Sequence, residues 1–234
     1  MQNIRLELII RKGEVKNLLN FAKFVENGEG IVNGVEASFD NITVNTSLKA
    51  SIIVMLYNVI ESTMTKSLNK IHNAFETENL KYDDLNDSIK KTMLTYYQYA
   101  MNKSADVHKS VSYVMELIDL LKLNTTFSLS YEDLSKSYSL YSGNLDSRKI
   151  VDVVTKYGVN FSEQVSELKT IKDYRNKLAH GELSFEEVGR EVSIPQLERL
   201  QERTFEYIEK VIMALETYLS NKEYKKQLHS NINS

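Results

Sequence analysis

The stretch from Thr46 to Phe75 constrains this chain most. Ile53, Leu56, Tyr57, Ile60, Met64, Leu68, Ile71 and Phe75 recur at three- and four-residue intervals, and at about 100° per residue they form one face of a helix. From Ile52 to Tyr57 the sequence is apolar nearly all round, so this helix must be enclosed by others. A single proline among 234 residues leaves long helices uninterrupted, and no Pro/Gly/Ser-rich linker divides the chain. The pattern predicts an all-α fold: a helical bundle with long central helices and short additional ones, in one domain over residues 1–221 with a polar tail over 222–234.

The same reading predicts further helices at Ile4 to Glu26, ended by Gly28-Glu29-Gly30, and at Asp84 to Asn102 and Asp106 to Lys122. An irregular passage runs to Thr43. Asn124 to Tyr141, rich in Thr, Ser and Tyr, holds either an extended segment or a short helix from Tyr131. Asp146 caps a short helix that runs to Tyr157 and stops at Gly158. Ser162 or Glu163 opens the next, and Pro195 sits in the first turn of a last long helix reaching Asn221, after which the tail frays.

The chemistry concentrates at Arg175-Asn176-Lys177-Leu178-Ala179-His180-Gly181. On a helix, Leu168, Ile171, Tyr174, Leu178 and Ala179 make an apolar stripe with Arg175 near its middle, while Asn176 and His180, four apart, stack along its edge. A buried unpaired charge costs several kcal/mol, so Arg175 must meet a carboxylate, a cleft or a phosphate. Gly181 supplies the helix stop, and the negative end of the helix dipole favours a protonated His180 by about 0.3–1 kcal/mol. An imidazole that moves protons and a fixed cation that holds charge on phosphorus suffice for metal-free cleavage of RNA, whose own 2′-hydroxyl lies beside the scissile bond. His180 is the candidate general acid or base and Arg175 the candidate stabiliser of the phosphorane, a bidentate task that lysine performs poorly.

Asn176 is placed to orient His180 or to donate to a phosphate oxygen, although an asparagine near a helix end also caps locally. Glu61, at the border of the central apolar face, is the candidate partner that holds Arg175; border acids are as often simply exposed. Lys172 and Lys177 read as solvated surface. His72, His108 and His229 show no ligand spacing and the chain has no cysteine, so no metal and no cofactor is expected and disulfides are excluded. Tyr96, Tyr97 and Tyr99 read as core or interface residues rather than as base-stacking ones.

A net charge of −3 excludes non-specific coating of nucleic acid, which requires neutralising many phosphates. From Asp146 to Gly181 seven Lys/Arg face five acids, a local balance of +2. That bias fits a solvated helix surface as well as a phosphate site. No leader-like segment and no run of 18 apolar residues is seen, so a soluble cytoplasmic protein without a membrane partner is expected.

Arg175-Asn176-x-x-x-His180 resembles the active-site motif of the HEPN superfamily, small all-helical domains that include many prokaryotic ribonuclease toxins and defence nucleases. The resemblance extends to Leu56-Tyr57-Asn58-Val59-Ile60-Glu61-Ser62-Thr63, to Ser142 through Ile150 with Lys156-Tyr157-Gly158, and to Gly181-Glu182-Leu183-Ser184-Phe185. These blocks lie between about residues 48 and 219 and are similar to nucleases found beside bacterial toxin and restriction systems. The resemblance implies a metal-independent endoribonuclease in toxin–antitoxin or phage-defence biology, acting as a homodimer whose two motifs face one cleft, with an RNA substrate and a cognate antitoxin or restriction-system protein as further partner. The alternatives are a non-catalytic HEPN module that binds a partner protein or a nucleotide, and a DNA-directed accessory subunit, which lacks any acidic metal cluster. The apolar stripe beside the motif suits a dimer interface and packing within one subunit equally.

Overall fold

A computed structural model of the chain describes residues 1–27, 41–122, 131, 132, 134 and 144–227. Among these, eight α-helices account for nearly all the regular structure: α1 (Gln2–Glu26), α2 (Asn41–Thr77), α3 (Asp87–Lys103), α4 (Val107–Leu121), α5 (Ser147–Lys156), α6 (Ser166–Ala179), α7 (Phe185–Glu191) and α8 (Ile194–Ser220). A single 3₁₀ turn, Tyr82–Asp84, precedes α3. The fold is all-α, as the periodicity requires.

Helix α2 is the axis of the molecule, with α1, α6, α7 and α8 all packed against it. Ile52, Ile53, Leu56, Ile60, Met64, Leu68, Ile71 and Phe75 are fully buried, each worth about 1.5–3 kcal/mol of transfer free energy. By length and composition alone α2 could cross a bilayer. Here its apolar residues fill the core.

The central helix begins at Asn41, five residues before the Thr46 expected from its apolar pattern. Lys49 pairs with Glu26 of α1 at 2.9 Å, and Asn45 donates to the same carboxylate at 3.3 Å. Helix α3 starts at Asp87 and not at Asp84. The Asp84 carboxylate instead accepts from the Lys81 amide at 2.8 Å and closes the 3₁₀ turn, while Asn86 caps α3 by accepting from the Ile89 amide.

Two further departures bear on function. Helix α7 was not anticipated, although Ser184 and Glu187 form a capping box that signals it: the Glu187 amide donates to the Ser184 hydroxyl, and the Ser184 amide donates to Glu187. It packs on the start of α2 so closely that a Cβ on Gly189 would lie 2.0 Å from the Thr46 carbonyl oxygen. The polar stretch after Asn221 is not a fraying tail through Gln227. Tyr224 is buried against Phe75, the Asn86 amide donates to the Tyr224 carbonyl at 2.8 Å, and the Lys226 amide donates to Asp84 at 2.7 Å. The packed domain therefore extends past residue 221 to 227. The expectations for Gly28-Glu29-Gly30, for most of Asn124 to Tyr141, for His229 and for the last residues of the tail lie outside the described residues.

Candidate active site

Helix α6 carries the motif, and tertiary bonds set where it begins. Ser162 and Glu163 do not open it. Val165 stays extended because the Ser147 hydroxyl, in the first turn of α5, donates to its carbonyl at 2.8 Å and accepts from its amide at 3.1 Å. Glu167 in the first turn, buried at 6% exposure, takes two hydrogen bonds from Arg199 of α8, through Nε at 3.0 Å and Nη2 at 2.8 Å. Leu168 and Ile171 then seat the helix in the core, and the stripe continues into Lys172 and Arg175.

Arg175 is turned toward α2. Its guanidinium carbon lies 3.7 Å from the centre of the Tyr57 ring, a stacking distance, and its Nη2 is 3.6 Å from Glu61 Oε1. The Arg175 side chain keeps 20% of its surface and Glu61 keeps 33%. The Tyr57 hydroxyl donates to Glu61 at 3.1 Å and accepts from the Leu145 amide at 3.1 Å. Burial pushes this hydroxyl up to about 12, against the opposing pull of the Leu145 amide, so it remains a proton donor at physiological pH.

The residues after Gly143 form a bracket over this cluster. Asn144 accepts from the Asn176 amide at 2.6 Å, Leu145 binds Tyr57, and Asp146 accepts from Lys172 at 2.8 Å. Burial raises the Asp146 carboxyl, but Lys172, the Lys149 amide and Arg148 together outweigh it and hold the group below the usual carboxylate range. Asp146 also caps α5 through the Lys149 amide, as its position in the sequence suggested. Lys172 is thus not solvated surface: its side chain is 15% exposed and ion-paired. Lys177 lies over the Tyr174 ring.

His180 is the C-cap of α6, exposed, with its amide bonded to the Asn176 carbonyl at 2.9 Å. Gly181 follows at φ 69°, the left-handed conformation that closes a helix with least strain when no Cβ is present. Among the described residues no side chain hydrogen-bonds the imidazole. Within one chain, then, Arg175 and Glu61 come together and Asn176 reaches Asn144, while His180 stands at the open end of the same helix. Five residues separate His180 from Arg175, about 7.5 Å along the axis and about 140° around it. Asn58, Glu61, Ser62, Thr65 and Lys66 line an open, shallow surface along one side of α2.

The motif, its seat on a central helix and the enclosing bundle meet in one family. The profile of the MAE_28990-like HEPN family matches residues 1–224. The chain belongs to this HEPN family. No curated protein and no solved structure matches it. HEPN domains are often ribonucleases.

In this HEPN domain, sequence reasoning missed Tyr57 as a site residue, because an aromatic on an apolar face reads as core. The available signal was its spacing from Glu61, one helical turn away inside a block that already resembled the superfamily. Tyr96 and Tyr97 are core residues in mutual edge contact, whereas Tyr99, on the outer side of the same helix, is exposed with Lys103 over its ring; His72 is enclosed by Phe75, Tyr131 and Tyr157, and no cluster of three metal-ligating side chains occurs among the described residues.

Proposed function

We propose that this HEPN protein is a metal-independent endoribonuclease. The observation that carries the reading is the division of one helix end into a guanidinium fixed on an aromatic ring and an exposed imidazole, both at positions of the HEPN motif. The 2′-hydroxyl attacks the adjacent phosphorus, its proton passes to an imidazole, and the 5′-oxygen leaves with a proton from a second imidazole. The products are a 2′,3′-cyclic phosphate and a 5′-hydroxyl. Arg175 holds the non-bridging oxygens as negative charge builds on them.

One His180 cannot be base and acid in the same step, so the reaction calls for a homodimer that brings two motifs to one cleft. The exposure of His180 and its distance from Arg175 along the helix support this. Toxin–antitoxin or phage-defence biology, with a cognate antitoxin or restriction-system protein and a cytoplasmic setting, follows from the same reading.

Purified protein incubated with tRNA and total RNA in EDTA is expected to cut, and His180→Ala and Arg175→Ala are each expected to lose at least about 100-fold in rate. A folded, dimeric wild type that cuts nothing passes the function to the alternative, a non-catalytic module binding a partner protein or nucleotide. The engagement of Arg175 by Tyr57 and Glu61 within one chain is what favours that second reading. Cleavage that survives in His180→Ala places the chemistry elsewhere.

A further inference from the structure

We infer that Tyr57 is the positioning residue for Arg175 and that Glu61 is a displaceable counter-ion, occupying in the free protein the place that an RNA phosphate takes when bound. The inference rests on the nuclease reading for its substrate, but its geometry stands independently.

The three groups are held unequally. Tyr57 is 1% exposed, its ring lies 3.7 Å from the guanidinium, and its hydroxyl is fixed by the Leu145 amide. Nothing in that arrangement can leave without breaking the core. Glu61 is different: the Tyr57 hydroxyl donates to it at 3.1 Å, but a third of its side chain is exposed, its distance of 3.6 Å from Nη2 is beyond hydrogen-bond range, and the side of α2 it stands on is open to solvent. A stacked guanidinium keeps its edge N–H groups in its own plane, parallel to the ring, where they can reach a planar or tetrahedral oxyanion. A phosphate brings stronger charge-assisted bonds than a loose carboxylate contact, so it exchanges with Glu61 while Tyr57 stays in place. Glu61 then turns to solvent along the open side of α2 that it shares with Asn58, Ser62 and Thr65.

The role given to Glu61 is therefore competition with the substrate. Removing its charge frees Arg175 for phosphate, whereas removing the ring leaves the guanidinium mobile. A residue that merely supported the fold would move stability in both cases and affinity in neither selective direction.

The test uses the full chain with two readouts: binding of an uncleavable 2′-deoxy oligonucleotide by fluorescence anisotropy, and cleavage of the matching RNA. Glu61→Gln is expected to tighten oligonucleotide binding about 3- to 10-fold and to lower KM by a similar factor. Tyr57→Leu is expected to weaken binding and to lower kcat at least 10-fold. Tyr57→Phe keeps the ring and its volume and removes only the hydroxyl's bonds to Leu145 and Glu61, so its loss of binding should be smaller than that of Tyr57→Leu. All these effects should vanish in an Arg175→Ala background. Glu61→Gln binding that is unchanged or weaker overturns the counter-ion role, and a Tyr57→Leu protein that stays folded with unaltered binding and kcat overturns the positioning role. The Arg175-dependent binding pattern without any RNA cleavage sustains the clamp and overturns the nuclease reading instead. Absence of Arg175-dependent binding in every variant overturns the clamp.

Discussion

Gly189 lacks a side chain because α2 leaves it no room. A Cβ there would sit 2.0 Å from the Thr46 carbonyl oxygen and 2.5 Å from the Thr46 Cα, which are backbone atoms that cannot rotate aside. Gly189→Ala is therefore expected to push α7 off α2 and cost roughly 1–3 kcal/mol, read as a fall in denaturant midpoint at unchanged m-value. A melting curve identical to wild type would show that α7 is free to shift. Gly181 is a contrasting case, with open space around it and φ 69°; what it supplies is backbone conformation, not clearance. Arg175 and Glu61 were paired from sequence because a half-buried cation needs a partner, and in the structure Nη2 of Arg175 lies 3.6 Å from Glu61 Oε1. Tyr57 escaped the same reasoning because its ring satisfies the core while its hydroxyl serves the site, and periodicity reports only the first.

At the scale of elements, the sequence marked where helices run more faithfully than where they begin. The apolar face of α2 was legible because helical spacing repeats over many turns, and the first turn of α8 because Pro195 marks it. The start of α6 was not, since Val165 is held extended by a serine 18 residues away. The segment after α8 was misread for a related reason: six residues of mostly charged sequence look solvated, yet Glu78 gathers them. Its carboxylate takes the Tyr224 hydroxyl, Lys222 at 3.1 Å and Lys225. Lys225, then Tyr224, outweigh the effect of burial and hold the Glu78 carboxyl down at about 2, against an ordinary value of 4.5. A carboxylate with a depressed folded value stabilises the native state fully above its unfolded value and loses that contribution as pH falls through the folded one. The clamp on Lys222–Gln227 should accordingly loosen between about pH 4.5 and about pH 2. Amide exchange at Asn86 and Lys226, whose protons close the segment onto the turn before α3, is the measurement. Glu78→Gln is expected to show the loosened exchange at neutral pH, and equal protection in both proteins would dissociate the clamp from Glu78.

At the scale of the whole molecule, the proposed reaction requires two helix ends in one cleft. A single chain presents His180 outward and Arg175 inward, so activity that needs both should depend on assembly. Specific activity is expected to fall on dilution in step with dimer dissociation followed by light scattering. Activity independent of concentration in a monomeric sample would refute a shared cleft. If one imidazole of the pair is neutral while its mate is protonated, kcat/KM must also pass through a maximum with pH. A rate that climbs without a descending limb excludes that division of labour.

The all-α class, the enclosed central helix, the motif and its resemblance to HEPN domains were written in the order of residues alone, because helical spacing and helix stops are local properties of a chain. Tertiary structure alone decided that Asn144, Leu145 and Asp146 bind Asn176, Tyr57 and Lys172 in turn, that Tyr57 lies under Arg175, and that Tyr224 returns to the core. Each of these joins residues at least 26 positions apart, and no periodicity carries information over that separation; only the packing of whole helices fixes which side chains meet.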